Sequence, residues 1–203
     1  MDGDLVTATP EEALAEPGAI EALLIGTTTQ EWNFILGDLT TAPGADAVRQ
    51  GMANLGYTAE DLDTYLTDLG SGNPGHALAQ ALSDRTFRRP ARRVADTAAR
   101  AGILTHTYQF AWSAPHFGAA HCADLPFVFD HLDAPQAPGL LGPDAPQQLA
   151  ERMHTALVRF AHGDSPGWSA YTTDERRTMV FDHDSHERTD GLARTPDNLK
   201  KHP

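Results

Sequence analysis

The chain has 203 residues, with 15 Lys+Arg against 28 Asp+Glu and a net charge of −13. At 40% hydrophobic and 21% charged it has the make-up of a folded chain rather than a disordered one, and its length allows one ordinary domain or a portion of a larger one. The acidic balance argues against nucleic acid and anionic membranes as partners; the single cysteine, Cys122, excludes an internal disulfide and a Cys-rich zinc site; and no run of about 18 apolar residues offers a membrane span. The acidic start Met1-Asp2-Gly3-Asp4 is unlike a signal peptide, so a cytoplasmic location is expected. Arg88, Arg89, Arg92 and Arg93 form the one basic cluster and read as a solvated helix face.

In chain order, Thr9-Pro10-Glu11-Glu12 predicts a short helical turn. Ala22-Leu23-Leu24-Ile25, closed by Gly26, reads as a strand buried on both faces, as in a parallel sheet. Residues 43–101 read as helical. Leu62, Tyr65, Leu66 and Leu69 fall on one face behind Thr58 as N-cap, and Gly70 to Gly75 form a loop. A further helix is expected over about 76–101, kinked or divided by Pro90 and ended by Gly102. Ile103 to Trp112 is the clearest strand: Leu104, His106, Tyr108, Phe110 and Trp112 share one face, and Ile103, Thr105, Thr107 and Gln109 the other. A loop-rich stretch follows over 113–146. Asp144 with Gln147 reads as a capping box for an amphipathic helix carrying Leu149, Met153, Ala156, Leu157 and Phe160 inward. Thr178 to Phe181 is a last short strand, and the polar residues beyond Asp182 read as a frayed tail. The order is α/β. Three strands make a poor sheet for this length, which hints that some of the sheet is absent.

Two segments could carry chemistry. Ile25-Gly26-Thr27-Thr28-Thr29-Gln30-Glu31 puts an acid just after a buried strand. His121-Cys122-Ala123-Asp124-Leu125-Pro126-Phe127-Val128-Phe129 puts a histidine in the loop after the Ile103–Trp112 strand. In open α/β sheets functional groups collect in loops at the carboxyl ends of strands. An acid and a histidine so placed form the orienting half of a triad: the carboxylate accepts the imidazole N–H, fixes its tautomer and stabilises the imidazolium. The order acid-then-histidine is that of α/β-hydrolases, where the nucleophile comes first.

These residues resemble the C-terminal part of the type-B carboxylesterases, the family of the para-nitrobenzyl esterases and cholinesterases. The first segment resembles the family's I-G-T-x-x-D-E acid motif and the second its H-x-x-E-L-P-F-V-F motif. The resemblance implies that Glu31 is the triad acid and His121 the triad base. Phe87-Arg88-Arg89-Pro90-Ala91 resembles F-x-x-P-A. Tyr108-Gln109-Phe110-Ala111-Trp112 resembles the aromatic strand before the histidine loop. Phe160 to Pro166 with Trp168 and Tyr171 resembles F-A-x-x-G-x-P…W-P-x-Y, and Thr178 to Phe181 resembles the closing strand. The 90-residue gap from Glu31 to His121 is typical of the family. Gln30 stands where the family has Asp, Asp124 where it has Glu, and Ser169 where it has Pro. The family's serine sits in a G-x-S-x-G elbow. Only Ser71 here has flanking glycines, without the apolar strand an elbow needs.

The resemblance therefore implies the C-terminal portion of an α/β-hydrolase fold over residues 1–190, with a helical segment over 43–101, the N-terminal half of the sheet absent, and a polar tail over 191–203. The implied activity is hydrolysis of a carboxylic ester through an acyl-enzyme. Its substrate would be a small-molecule ester, bound only when the missing half completes the site, with no metal or cofactor. A second reading is a non-catalytic remnant or binding module that needs a partner polypeptide. A third is a metal-binding protein using His183 and His186. His116 with Asp124 fits no zinc spacing, a Cys122–His121 nucleophile pair is disfavoured, and His106 reads as a packed, hydrogen-bonded core histidine.

Overall fold

The computed structural model describes residues 4–16, 18, 20–36, 44–69 and 73–192. The elements run α1 (Pro10–Ala15), β1 (Ala22–Thr28), α2 (Asn33–Leu36), α3 (Ala45–Asn54), α4 (Ala59–Leu69), α5 (Pro74–Ser83), a π-turn (Asp84–Arg88), α6 (Arg89–Arg100), β2 (Leu104–Phe110), α7 (Leu125–Val128), α8 (Ala137–Leu141), α9 (Gln147–Ala161), β3 (Thr178–Phe181) and β4 (His186–Arg188).

The sheet order is β1-β2-β3-β4. β1 pairs with β2 in parallel from Ala22↔Leu104 to Thr28↔Phe110, and β2 with β3 in parallel from Thr107↔Thr178 to Phe110↔Phe181. β4 closes the far side antiparallel to β3. The parallel pairs come from crossover connections through helices, as parallel strands require. The central strand, β2, is buried on both faces: His106 and Phe110 are covered on one, and Thr105, Thr107 and Gln109 on the other. Phe110 and Trp112 pack with Phe127, Leu149, Met153, Trp168 and Phe181 in a core that α7 and α9 cover. α6 lies against β1 and β2, with α1 against α6. α3, α4 and α5 enclose a second core of Val48, Met52, Tyr57, Leu62, Tyr65, Ala77 and Ala81.

Several sequence expectations change. β1 is longer than Ala22–Ile25 and is not buried on both faces. It is an edge strand of the described sheet, and its residues Ala22 to Gly26 are half-buried because only β2 lies beside it. Leu104, at the exposed start of β2, is 52% accessible. The helix expected over 76–101 is divided, just ahead of Pro90, where the π-turn separates α5 from α6; a wider turn relieves the i→i−4 pairing that proline cannot make. Asp144 does not cap α9, which starts at Gln147 behind Pro146, and Gln147 instead donates to Asp130 Oδ1 at 2.7 Å. Residues 183–192 are not frayed: β4 pairs there and Leu192 is buried. Ser71 and residues 193–203 of the expected tail lie outside the described residues. The Thr9 and Thr58 turns form as read, each with a reciprocal side-chain cap, to Glu12 and to Asp61.

Candidate functional site

β1 and β2 end side by side, so the loops after them leave the same edge of the sheet. The two loops are laced together by backbone. Thr29 N–H donates to Phe110 C=O (3.0 Å), Gln30 N–H to Ala119 C=O (2.9 Å), and His121 N–H to Glu31 C=O (3.2 Å). Gln30 adds a side-chain rung, its Oε1 accepting from Ala119 N–H at 2.9 Å. Gly118 permits that approach. It sits at φ +65°, and a Cβ there would lie 2.0 Å from Gln30 Oε1. Gly26 serves likewise within β1, where a Cβ would fall 2.3 Å from the Tyr108 ring.

This lacing brings Glu31 and His121 together. Glu31 is buried, its Oε1 accepts from Thr28 N–H at 2.7 Å, and its Oε2 lies 2.7 Å from His121 Nδ1. An acceptor-only carboxylate at Nδ1 selects the Nδ1–H tautomer and leaves Nε2 as the basic nitrogen. The His121 side chain is 42% exposed, so that nitrogen remains approachable, and Phe87 packs on the ring with centroids 4.8 Å apart.

Beneath the pair lies a second carboxylate. Asp124 Oδ2 accepts from Tyr108 Oη at 2.9 Å. Burial raises the Asp124 carboxyl above its usual range, and the Tyr108 hydroxyl only partly offsets this. Burial and the Asp124 charge push the Tyr108 phenol up, which keeps it a donor. The Cys122 thiol is raised by partial burial and by the Asp124 and Glu31 carboxylates, the reverse of what an activated thiolate needs.

The other candidates fall elsewhere. His183 Nε2 accepts from the Trp112 indole N–H at 3.2 Å, and His186 Nδ1 faces Asp184 C=O at 2.9 Å. Among the described residues no three His, Cys, Asp or Glu side chains gather as a metal site. His106 is packed edge-on to Trp168, but its Nδ1 has no partner among the described residues; burial lowers its pKa. The basic cluster is not a solvated face. Arg92 pairs with Asp190 and Arg93 with Glu11, while Arg88 is fully buried against Asp84, because an acid four residues earlier compensates its charge. The Asp84/Arg88 spacing was the available signal for this residue. No helix among the described residues is long and apolar enough to cross a membrane.

The carboxylesterase family model matches residues 1–200. The chain belongs to the carboxylesterase family. This family member is 27% identical over 195 residues to the para-nitrobenzyl esterase of Bacillus subtilis, covering 90% of the chain and 38% of that relative. It is 29% identical over 150 residues to the phenmedipham hydrolase of Pseudarthrobacter oxydans, covering 66% of the chain and 30% of that protein. The crystal structure of a Geobacillus stearothermophilus carboxylesterase superposes with a TM-score of 0.78 at 28% identity, over 96% of this chain and 43% of that one. The fold is thus a portion of an α/β-hydrolase, and the chain spans well under half the length of the relatives it matches.

Proposed function

We propose that this carboxylesterase-family chain is the C-terminal segment of a serine esterase, supplying the acid and the base of a triad whose serine lies on a segment outside this sequence. The 2.7 Å Glu31–His121 contact at the ends of two adjacent parallel strands carries the reading. In the completed site His121 Nε2 takes the serine hydroxyl proton as Oγ bonds to the ester carbonyl carbon. The same proton passes to the leaving alcohol as its C–O bond breaks, giving an acyl-enzyme. Water then attacks with His121 again as base, and the serine is released. Glu31 holds the ring in register and balances the imidazolium charge. No metal or cofactor enters these steps. The substrate class is a small-molecule carboxylic ester. The second reading, a module that binds a partner polypeptide, draws on the free edge of β1 and becomes the split form of the same enzyme if that partner brings the serine.

The test is the coding DNA immediately upstream. An in-frame G-x-S-x-G preceded by an apolar strand is expected there. An upstream region with no such reading frame would contradict the single-chain form and leave only a serine brought in by a partner.

A further inference from the structure

The π-turn before α6, with Ser83 at the end of α5, touches the candidate site at four points. Arg88 Nη2 donates to Thr29 C=O at 2.8 Å, across 59 residues of sequence. Ser83 Oγ accepts from Trp32 N–H at 3.1 Å while donating to Ala79 C=O at 2.7 Å. Thr86 Oγ1 accepts from the Trp32 indole N–H at 2.8 Å. Phe87 lies on the His121 ring. Thr29 and Trp32 flank Glu31, so the bonds grip the acid loop on both sides.

The local geometry explains why one short segment reaches so much. In an α-helix residues five apart point roughly 140° away from each other. An i→i+5 turn brings them toward one side, so Ser83, Thr86 and Arg88 meet the acid loop while Phe87 meets His121. Behind the turn, Asp84 holds the buried Arg88 and is itself held by Tyr65 Oη at 2.9 Å and Gln80 Nε2 at 3.2 Å. A buried charge set among several partners is fixed in place, because leaving any partner unmatched is costly. Pro90 anchors the exit of the turn.

We infer that Ser83, Thr86 and Arg88 form a clamp that positions the Glu31 loop, and through it the tautomer of His121; this rests on the Glu31–His121 reading above. None of the three touches the reacting atoms, so they are positioning residues. Rigid support behind a carboxylate–imidazole pair is what holds such a pair to productive geometry.

The test is long-range ¹H–¹⁵N correlation of the histidine rings in the full 203-residue chain, at alkaline pH. Wild type should show His121 as the Nδ1–H tautomer, and Glu31→Gln should weaken that preference. In the double variant Asp84→Asn/Arg88→Gln, which keeps a neutral hydrogen-bonding pair, His121 should fall back to an Nε2–H-dominated mixture. His154 on α9, whose Nδ1 faces Val128 C=O at 3.1 Å and not the clamp, should be unchanged. A general loosening would move both rings; the clamp moves only His121. If the double variant loses its circular-dichroism signal, Ser83→Ala decides instead, with the same expected direction and a smaller loss. A locked His121 in the folded double variant, or in Ser83→Ala where that decides, overturns the clamp and leaves the Glu31–His121 reading standing. An unlocked His121 in the wild type overturns that reading and the clamp with it.

Discussion

Gly118 and Gly26 show how much of the site rests on single positions. Gly118 needs both its φ of +65° and the space a Cβ would take from Gln30. Gly118→Ala should cost about 1–3 kcal/mol from the backbone conformation alone, measurable by urea unfolding. Gly26→Ala should cost a similar amount, about 1–3 kcal/mol, by overpacking against Tyr108; wild-type stability in either variant would show that the loop or the ring yields. Asp124 makes a pH prediction. Its folded pKa lies above its unfolded value, so between the two the folded state holds the extra proton, and stability falls as pH rises through that window. Asp124→Asn keeps an acceptor for Tyr108 without the buried charge. It should be more stable than wild type at neutral pH, and the gain should vanish at about pH 4 and below, near the ordinary aspartate pKa. Denaturant midpoints across that range check it; an Asn variant weaker than wild type at neutral pH would show the ionised carboxylate to be net favourable. The residues Glu31 and His121 were legible as motif positions. Arg88 was legible only in its Asp84 spacing; its full burial depends also on Tyr65 and Gln80, from two different helices, which a local charge count does not register.

At the scale of elements, period was readable where it is local, and so were the Thr9 and Thr58 caps, though not the one read at Asp144. The faces of β2, the inward side of α9 and the Thr58 cap follow from side-chain spacing and hydrogen-bonding chemistry. What failed was set by context. β4 is three residues of charged and polar sequence, with no apolar alternation, and exists because β3 offers it an edge. The division near Pro90 was readable, but its form as a π-turn was not, because the buried Asp84 network that meets it comes from distant residues. β1 presents an unpaired edge of the described sheet, and Leu104, Phe34 and Phe129 are each more than half exposed. Unpaired edges invite association. The isolated chain should therefore bind an apolar dye such as anilinonaphthalene sulfonate, or self-associate in sedimentation velocity. A monodisperse monomer silent to the dye would count against a covering segment.

At the scale of the whole molecule, a net charge of −13 describes only what these 203 residues contribute. Relatives run to more than twice the length matched here, so this charge says little about the surface of a molecule of their length. Two of three triad roles have candidates in the described residues, held at bonding distance by a laced pair of loops. On the proposed reading, the nucleophile this imidazole would serve lies on another segment. The most direct measurement is hydrolysis of a chromogenic short-chain ester by the purified 203-residue chain, beside Glu31→Gln and His121→Ala. Turnover no greater than that of His121→Ala is expected. Hydrolysis that falls with both substitutions would contradict a serine outside the sequence, since a nucleophile would then lie within this chain.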